Sequence, residues 1–399
     1  MQSPPTPTLD VPIRSTLEAW LDDVRARPTP TVTLYLDVHA GEDPRAPAQR
    51  ADAALRATDL VREEREAVLR HLNEVLRDAS EGHLAYATGP GSAASGDADP
   101  AWAFVRAAPP LPGGAVEAAV RHGRPWTAPI ELLLATQAPV VATYADAKRA
   151  RLFVADLGEV VEAASYVHAL DPTGWRRYAE HATGMPGRPA RGGSGSDAFA
   201  ARTAAWTADF VRDVVAQVDA ALRTRPGARL ALVGDAPRVA QLEEALPPQA
   251  RRAVLLRGTA PADPDLPPSA WEAPLLARIA DARRREDDAL VQRLAADGVV
   301  GVGPVLHALV DQELAVVAVP AHVDVDVVHC LDDGWLAEDE LAARRVCPDG
   351  PVEWAPLKTF LLDAAKRGRA DVRVVGGDAG RRLADVAGAV AGLPRSHAG

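Results

Sequence analysis

The sequence predicts an α/β protein of three domains. Three observations carry that expectation. Short apolar runs bounded by Gly, Pro or Asp alternate along the chain with longer segments of helical spacing. A glycine-rich stretch, HATGMPGRPARGGSGSD, opens directly onto a long apolar-faced helix. A run rich in proline and acid, Thr259–Ser269, interrupts the alternation and reads as a boundary. The expected divisions are residues 1–138, 139–262 and 263–399, and 399 residues leave room for them.

The elements follow in order. Thr31–Ala40 alternates between Pro30 and Gly41 as a strand should. Residues 47–78 are charged and Leu-rich, with Leu55, Val61, Val68, Leu72 and Val75 at helical spacing. His83–Pro90 and Ala101–Ala107 read as short strands, closing a first α/β domain near Ala138. Pro139–Val167 reads as two or three antiparallel strands turning at Ala145–Arg149 and Leu157–Glu159. Nothing between His181 and Asp197 has regular periodicity, so a loop is expected over 181–197. After it Phe199, Trp206, Phe210, Val214 and Val218 fall at steps of four and seven, one apolar helix face. Arg229–Asp235 reads as a buried strand, PRVAQLEEAL as a helix and Ala253–Gly258 as a strand, a mostly parallel extension of the sheet. The last domain is expected to open with a long charged helix, Trp271–Asp297. Strands ELAVVAVP and VDVVHCL, a helix WAPLKTFLLDAAKRG and a strand DVRVVGG then follow.

Composition excludes several function classes. A net charge of −11 argues against a surface that coats nucleic acid throughout, though not against a local basic patch. Two cysteines, Cys330 and Cys347, are too few for a disulfide scaffold and suit a reducing cytoplasm. The N-terminus lacks an apolar core of the signal-peptide kind, and no stretch approaches the length of a membrane span, so no membrane partner is expected.

Familiar chemical motifs are missing or weak. There is no G-x-x-x-x-G-K-[ST] loop and no G-x-S-x-G elbow; Ser194 sits in GGSGS without a strand before it. Gly301–Leu306 echoes a dinucleotide fingerprint but lacks its third glycine. His322, His329, Cys330 and Cys347 form the one group with zinc-type ligands, yet no C-x-x-C pair supports it, and neither metal nor cofactor is expected. Arg283–Asp288 reads as a solvated helix face, and Ala364–Arg369 as a cationic helix C-terminus. The Gly-rich loop stands apart because Arg188, Arg191 and Arg202 decorate a Gly-Gly tip on a rigid helix, an arrangement suited to a narrow, negatively charged place.

This order of elements resembles the superfamily of archaeal and eukaryotic class-1 peptide-chain release factors and Pelota, with its bacterial Vms1-like release factors and Balon-type ribosome hibernation factors. Arg121–Glu162 is similar to the family's entry into its central domain, where a strand ending in an acid leads to an R-[LA]-F strand and a glycine hairpin. The loop and helix at 181–218 stand where the family carries its GGQ loop, and residues 270–399 resemble its C-terminal domain. The resemblance implies an RNase H-like central sheet and an L7Ae-like C-terminal domain. It also implies a ribosome partner through ribosomal RNA and P-site tRNA, with a translational GTPase as a possible loader. Where the family reads Gly-Gly-Gln, this chain has Gly192, Gly193 and Ser194. Serine lacks the amide that donates and accepts at once. The family's NIKS and Y-x-C-x-x-x-F codon-reading motifs are absent. The resemblance therefore implies a factor that occupies the A site in hibernation or stress protection, without catalytic residues, with Arg188, Arg191 and Arg202 on RNA phosphates. The alternatives are a peptidyl-tRNA hydrolase in ribosome rescue and a non-ribosomal interaction protein on the same fold.

Overall fold

A computed structural model describes residues 12–78, 81–89, 100–106, 118–167 and 194–397. They form mixed α/β structure with several sheets, in two compact units. One unit holds residues 139–155 and 160–282; the other holds 12–138, 156–159 and 283–397.

The second unit begins with a helix that the proline-rich N-terminal sequence hides, α1 (Pro12–Ala26). Ile13, Leu17, Trp20, Leu21 and Val24 are buried along one side of it. Then come β1 (Thr31–Val38), α2 (Ala46–Arg56), α3 (Arg62–Val75), β2 (Gly82–Thr88), β3 (Ala101–Arg106) and β4 (Ala118–Gly123). The strands form an antiparallel sheet in the order β3-β2-β1-β4. Its core gathers Leu34, Leu36, Leu55, Val68, Leu72, Leu84 and Tyr86. The helical spacing expected across 47–78 resolves into two helices. Thr58 Oγ1 donates to the Leu55 carbonyl to close the first, and Val61 stands extended as the N-cap of the second. Val61 is thus exposed rather than in the core. A short apolar helix, α4 (Ala128–Thr136), ends this portion.

The other unit is one five-stranded sheet. Its elements are β5 (Val140–Ala145), β6 (Arg149–Asp156), β7 (Glu159–Val167), α5 (Ser194–Arg223), β8 (Arg229–Gly234), α6 (Ala236–Ala245), α7 (Pro248–Arg252) and β9 (Val254–Gly258). The strand order is β7-β6-β5-β8-β9. β5 and β6 are antiparallel, whereas β5, β8 and β9 run parallel, as the alternation of strands and helices requires. Successive side chains face opposite ways, and both faces are covered. Val141, Leu152, Leu230 and Leu232 meet Phe210, Val214 and Val218 of α5 and Leu242 of α6. Val140, Ala142, Tyr144, Phe153 and Val233 meet Trp271, Leu275 and Ile279 of the long helix α8 (Ser269–Asp297). Trp271 is fully buried, stacked on Phe153 at 5.0 Å and edge-on to Tyr144 at 5.3 Å. Gly234 ends β8 at φ +138°, where a Cβ would strike the Ala145 carbonyl, so the two strand ends meet only with glycine there.

Beyond α8 the second unit continues with β10 (Val299–Val300), α9 (Val302–Val310), β11 (Leu314–Pro320), β12 (Asp326–Cys330), β13 (Leu336–Ala337), α10 (Glu340–Val346), β14 (Val352–Pro356), α11 (Leu357–Arg367), β15 (Asp371–Val375), α12 (Gly377–Ala387) and β16 (Ala391–Pro394). One sheet has the order β10-β16-β11-β15 and a smaller one β13-β12-β14. The helix expected from Trp354 starts only at Leu357. Trp354–Pro356 belong to β14, because proline holds the residue before it extended. In the stretch Gly301–Leu306, Gly301 caps α9 at φ +92°, a tight entry into a helix rather than a phosphate cradle. The run Arg283–Asp288 is less solvated than its charges suggest. Arg283 donates to Gln137 Oε1 at 2.6 Å and to the Ala138 carbonyl at 2.5 Å, and Asp287 is half-buried. Among the described residues no helix is long and apolar enough to cross a membrane.

Candidate functional site

The helix that follows the Gly-rich stretch is the longest in the structure's first unit, 30 residues from Ser194 to Arg223. At 1.5 Å per residue it spans about 45 Å. Its anchor is the C-terminal part, where Phe210, Val211, Val214, Val215, Val218 and Ala221 are buried on the sheet. N-terminal to Phe210, Ala204, Ala205, Ala208 and Asp209 are exposed, and Trp206 is half-buried. Ser194 thus begins the helix about 24 Å before Phe210, measured along the axis at the same rise. The sequence expectation of a loop through 197 is corrected here: the helix reaches back to Ser194.

The other residues singled out divide plainly. Arg188, Arg191, Gly192 and Gly193 lie outside the described residues. Arg202 lies on α5, whose N-terminal backbone is described while its own side chain is not. Further along, Arg212 pairs with Asp209 at 2.7 Å and Arg223 with Asp219, so these exposed cations are matched within the helix.

Sequence reasoning missed a groove beside the arm. It measures ≈860 Å³ and runs between α5 and α6, lined by Thr203, Thr207, Val211 and Val215 on one side and Gln241 and Glu244 on the other. Thr203, Thr207, Val211 and Val215 follow at steps of four, a signal present in the sequence but overshadowed by the larger Trp206 and Phe210.

The R-L-F strand has a structural role. Arg151, 6% exposed, donates from Nε and Nη2 to both carboxylate oxygens of Glu162 at 2.7 and 2.8 Å. Its Nη1 donates to the Pro264 carbonyl at 3.2 Å and the Leu266 carbonyl at 2.9 Å, and the guanidinium lies 5.2 Å from the Trp271 ring centre. Arg149 pairs with Asp265 at 2.5 Å and Asp146 at 3.2 Å. Burial works to raise the Asp146 carboxyl, but hydrogen bonds from Tyr144, from the backbone N–H of Lys148 and Arg149, and from the Arg149 side chain hold it below its usual range. The proline-rich segment before α8, which reads as a loose boundary, is therefore strapped to the β5–β6 hairpin.

The zinc-type grouping does not assemble. Cys330 and Cys347 pack together with Val328 and Ala337, both buried, and burial pushes the Cys330 thiol up to about 12. His329 instead stacks on Phe360 at 3.7 Å and faces Glu353 at 3.4 Å. Among the described residues no three His, Cys, Asp or Glu side chains gather as a metal site.

With this geometry in hand, comparison with known proteins is informative. Residues 125–285, which hold the hairpin, the Gly-rich stretch, α5 and the strapped segment, match the family described as bacterial archaeo-eukaryotic release factor family 10. No curated protein matches the sequence significantly. Among solved structures the chain is similar to the archaeal translation termination factor aRF1, at 14% identity over 96% of this chain and 98% of that one, TM-score 0.26. It is also similar to ribosome-bound archaeal Pelota from a complex with ABCE1, at 12% identity over 98% of each chain, TM-score 0.37. A third is Saccharomyces cerevisiae Dom34, a translation termination-like factor interacting with Hbs1, at 8% identity over 80% and 82%, TM-score 0.41.

Proposed function

We propose that this chain, whose residues 125–285 match a bacterial release factor family, is a member of the release factor and Pelota superfamily and a ribosome-binding factor that occupies the A site in hibernation or stress protection without releasing peptide. The observation that supports the reading is the sequence Gly192-Gly193-Ser194, whose serine is the first residue of a 30-residue helix inside the family-matching segment. In this reading residues 1–138, 139–262 and 263–399 act as separate modules, the middle one RNase H-like and the last L7Ae-like. The anchored end of α5 holds the arm, and its N-terminus carries the tip toward ribosomal RNA. Free N–H groups and the positive end of the helix dipole favour an anionic surrounding there. Arg188, Arg191 and Arg202 supply fork-shaped donors for phosphates. P-site tRNA lies within the same reading, and a translational GTPase is the proposed loading partner. The proposed place of action is the cytoplasm, and no cofactor is invoked.

In this reading the tip enters the site but does not hydrolyse. Peptidyl-tRNA hydrolysis needs a water held against the ester carbonyl by a group within hydrogen-bond reach. Serine ends short of a glutamine amide, and losing one well-placed polar group costs about 10²–10³ in rate. Cosedimentation with 70S ribosomes tests binding, and release of labelled peptide from ribosome-bound peptidyl-tRNA tests chemistry. The natural chain is expected to cosediment and release little; Ser194→Gln is expected to gain release. Robust release by the natural chain would replace this reading with ribosome rescue, and absence of cosedimentation with the non-ribosomal reading.

A further inference from the structure

Strand β14 lies at an edge of the small sheet β13-β12-β14. β14 pairs only with β12, in antiparallel register from Asp326↔Pro356 to Cys330↔Val352. Leu357 N–H donates to the Val325 carbonyl at 2.8 Å and Leu331 N–H to the Pro351 carbonyl at 2.9 Å. In an antiparallel ladder hydrogen-bonded pairs alternate with non-bonded ones. Glu353 and Ala355 therefore turn their backbone groups toward β12, while Val352 and Trp354 turn theirs outward. Among the described residues no further strand pairs with this edge, Pro356 stands at its end, and Trp354 is 55% exposed.

The face beside this edge is only half covered. Trp354 lies opposite Val328 and so shares its face with Val328, Cys330 and Asp326. The seven-residue helix α10 packs over Val328, Cys330 and Ala337, leaving Trp354 and Asp326 outside its cover. Leu341 of α10 is 70% exposed. Within Ala321–Trp354 nine carboxylates stand against two arginines, and Arg121 near Asp326 and Arg124 at Glu353 offset part of this charge. Three are engaged locally: Asp324 by the backbone N–H of Val325 and Lys358, Asp339 as the cap of α10, and Glu353 by His329 at 3.4 Å and Arg124 at 3.8 Å. Asp326, Asp332, Asp333, Glu338, Glu340 and Asp349 are exposed.

We propose that the outer edge of β14 is a docking strand for an extended, Lys/Arg-bearing segment of a partner protein. The segment would add to the sheet through the N–H and C=O groups of Val352 and Trp354, lay an apolar side chain on Trp354, and place its cations among the exposed carboxylates. The same carboxylates repel phosphate, so this patch selects protein over RNA. The inference stands independently of ribosome binding, since it rests on β14 and the charges around it.

The test uses the full chain and a fluorescein-labelled peptide, (Lys-Val)4, followed by fluorescence anisotropy. (Lys-Pro)4 carries the same charge but cannot donate along a strand edge, and (Glu-Val)4 reverses the charge. (Lys-Val)4 is expected to bind roughly tenfold tighter than (Lys-Pro)4, the order of one or two main-chain hydrogen bonds. (Glu-Val)4 is expected not to bind. Trp354→Pro removes an outward N–H without removing a bond to β12, and it should abolish the preference. Amide hydrogen exchange on the natural chain reads the same edge directly: Val352 and Trp354 should slow when (Lys-Val)4 is bound. Equal binding of (Lys-Val)4 and (Lys-Pro)4, unchanged exchange at both amides, or displacement of the peptide by a single-stranded RNA oligonucleotide would overturn the proposal.

Discussion

Replacing Arg151 by methionine isolates what holds the segment before α8 against the hairpin. The substitution keeps a flexible apolar stem near Phe153 and Trp271 and deletes the guanidinium. Glu162 then keeps a half-buried carboxylate without its bidentate partner, and the Pro264 and Leu266 carbonyls lose their donor. Removing one member of a buried pair costs about 3–5 kcal/mol. The Glu162 side chain retains 17% exposure, which places the effect at the lower end. At about 2–4 °C per kcal/mol for a domain of this size class, a 3 kcal/mol loss lowers the melting temperature by about 6–12 °C. The double variant Arg151→Met, Glu162→Leu removes the orphaned charge, and replacing a whole pair with apolar groups is often near neutral. Scanning calorimetry should therefore show the double variant recovering most of the loss. A single variant that melts with the natural protein, or a double variant that loses the sum of both single changes, would refute the idea that this pair straps the segment.

Burial raises the Asp287 carboxyl to about 6, with Arg373 opposing the effect. Its folded-state value therefore exceeds the unfolded one of about 3.9, so the unfolded chain gives up this proton first as pH rises. Stability associated with the protonated form is full below pH ~4 and is lost by pH ~6. Asp287→Asn should flatten the pH dependence between those values and gain on the order of 1 kcal/mol at neutral pH, allowing for partial exposure; chemical denaturation across the range checks both. Arg188→Ala with Arg191→Ala should weaken ribosome cosedimentation and lower its salt dependence by about one counterion per lost phosphate contact. An unchanged salt slope would take these arginines off the RNA.

What the sequence reveals depends on how far apart the deciding partners lie. Arg229–Gly234 is legible as a strand because its apolar run is short and sharply bounded, and Phe210, Val214 and Val218 because one helix period aligns them. The break between α2 and α3 is not legible, since residues 57–61 contain neither glycine nor proline; packing, not propensity, ends the first helix. Ile13, Leu17, Trp20, Leu21 and Val24 do repeat at helical spacing, yet the prolines around them obscure it. Arg151 is the clearest failure. An arginine within a strand reads as an outward residue, and its fate is settled by Glu162, Pro264 and Leu266, the last two more than a hundred residues away. The Gly-rich stretch was legible as a feature, but the start of its helix at Ser194 was not, because Gly195 disguises the first turn.

The distribution of charge reconciles an acidic chain with an RNA-binding proposal. Of the net −11, the segment Ala321–Trp354 alone supplies −7, nine carboxylates less two arginines. The stretch from 168 to 193 runs the other way, with Arg176, Arg177, Arg188 and Arg191 against Asp171 and Glu180. Between exposed charges the Debye length is about 8 Å at physiological ionic strength. Exposed carboxylates on the β12–β14 sheet therefore act on what approaches that sheet, and a local cationic stretch is read by what approaches it. Net charge consequently says little about either contact. The fields are read locally, so an acidic net charge does not weigh against the proposed phosphate contacts of Arg188 and Arg191.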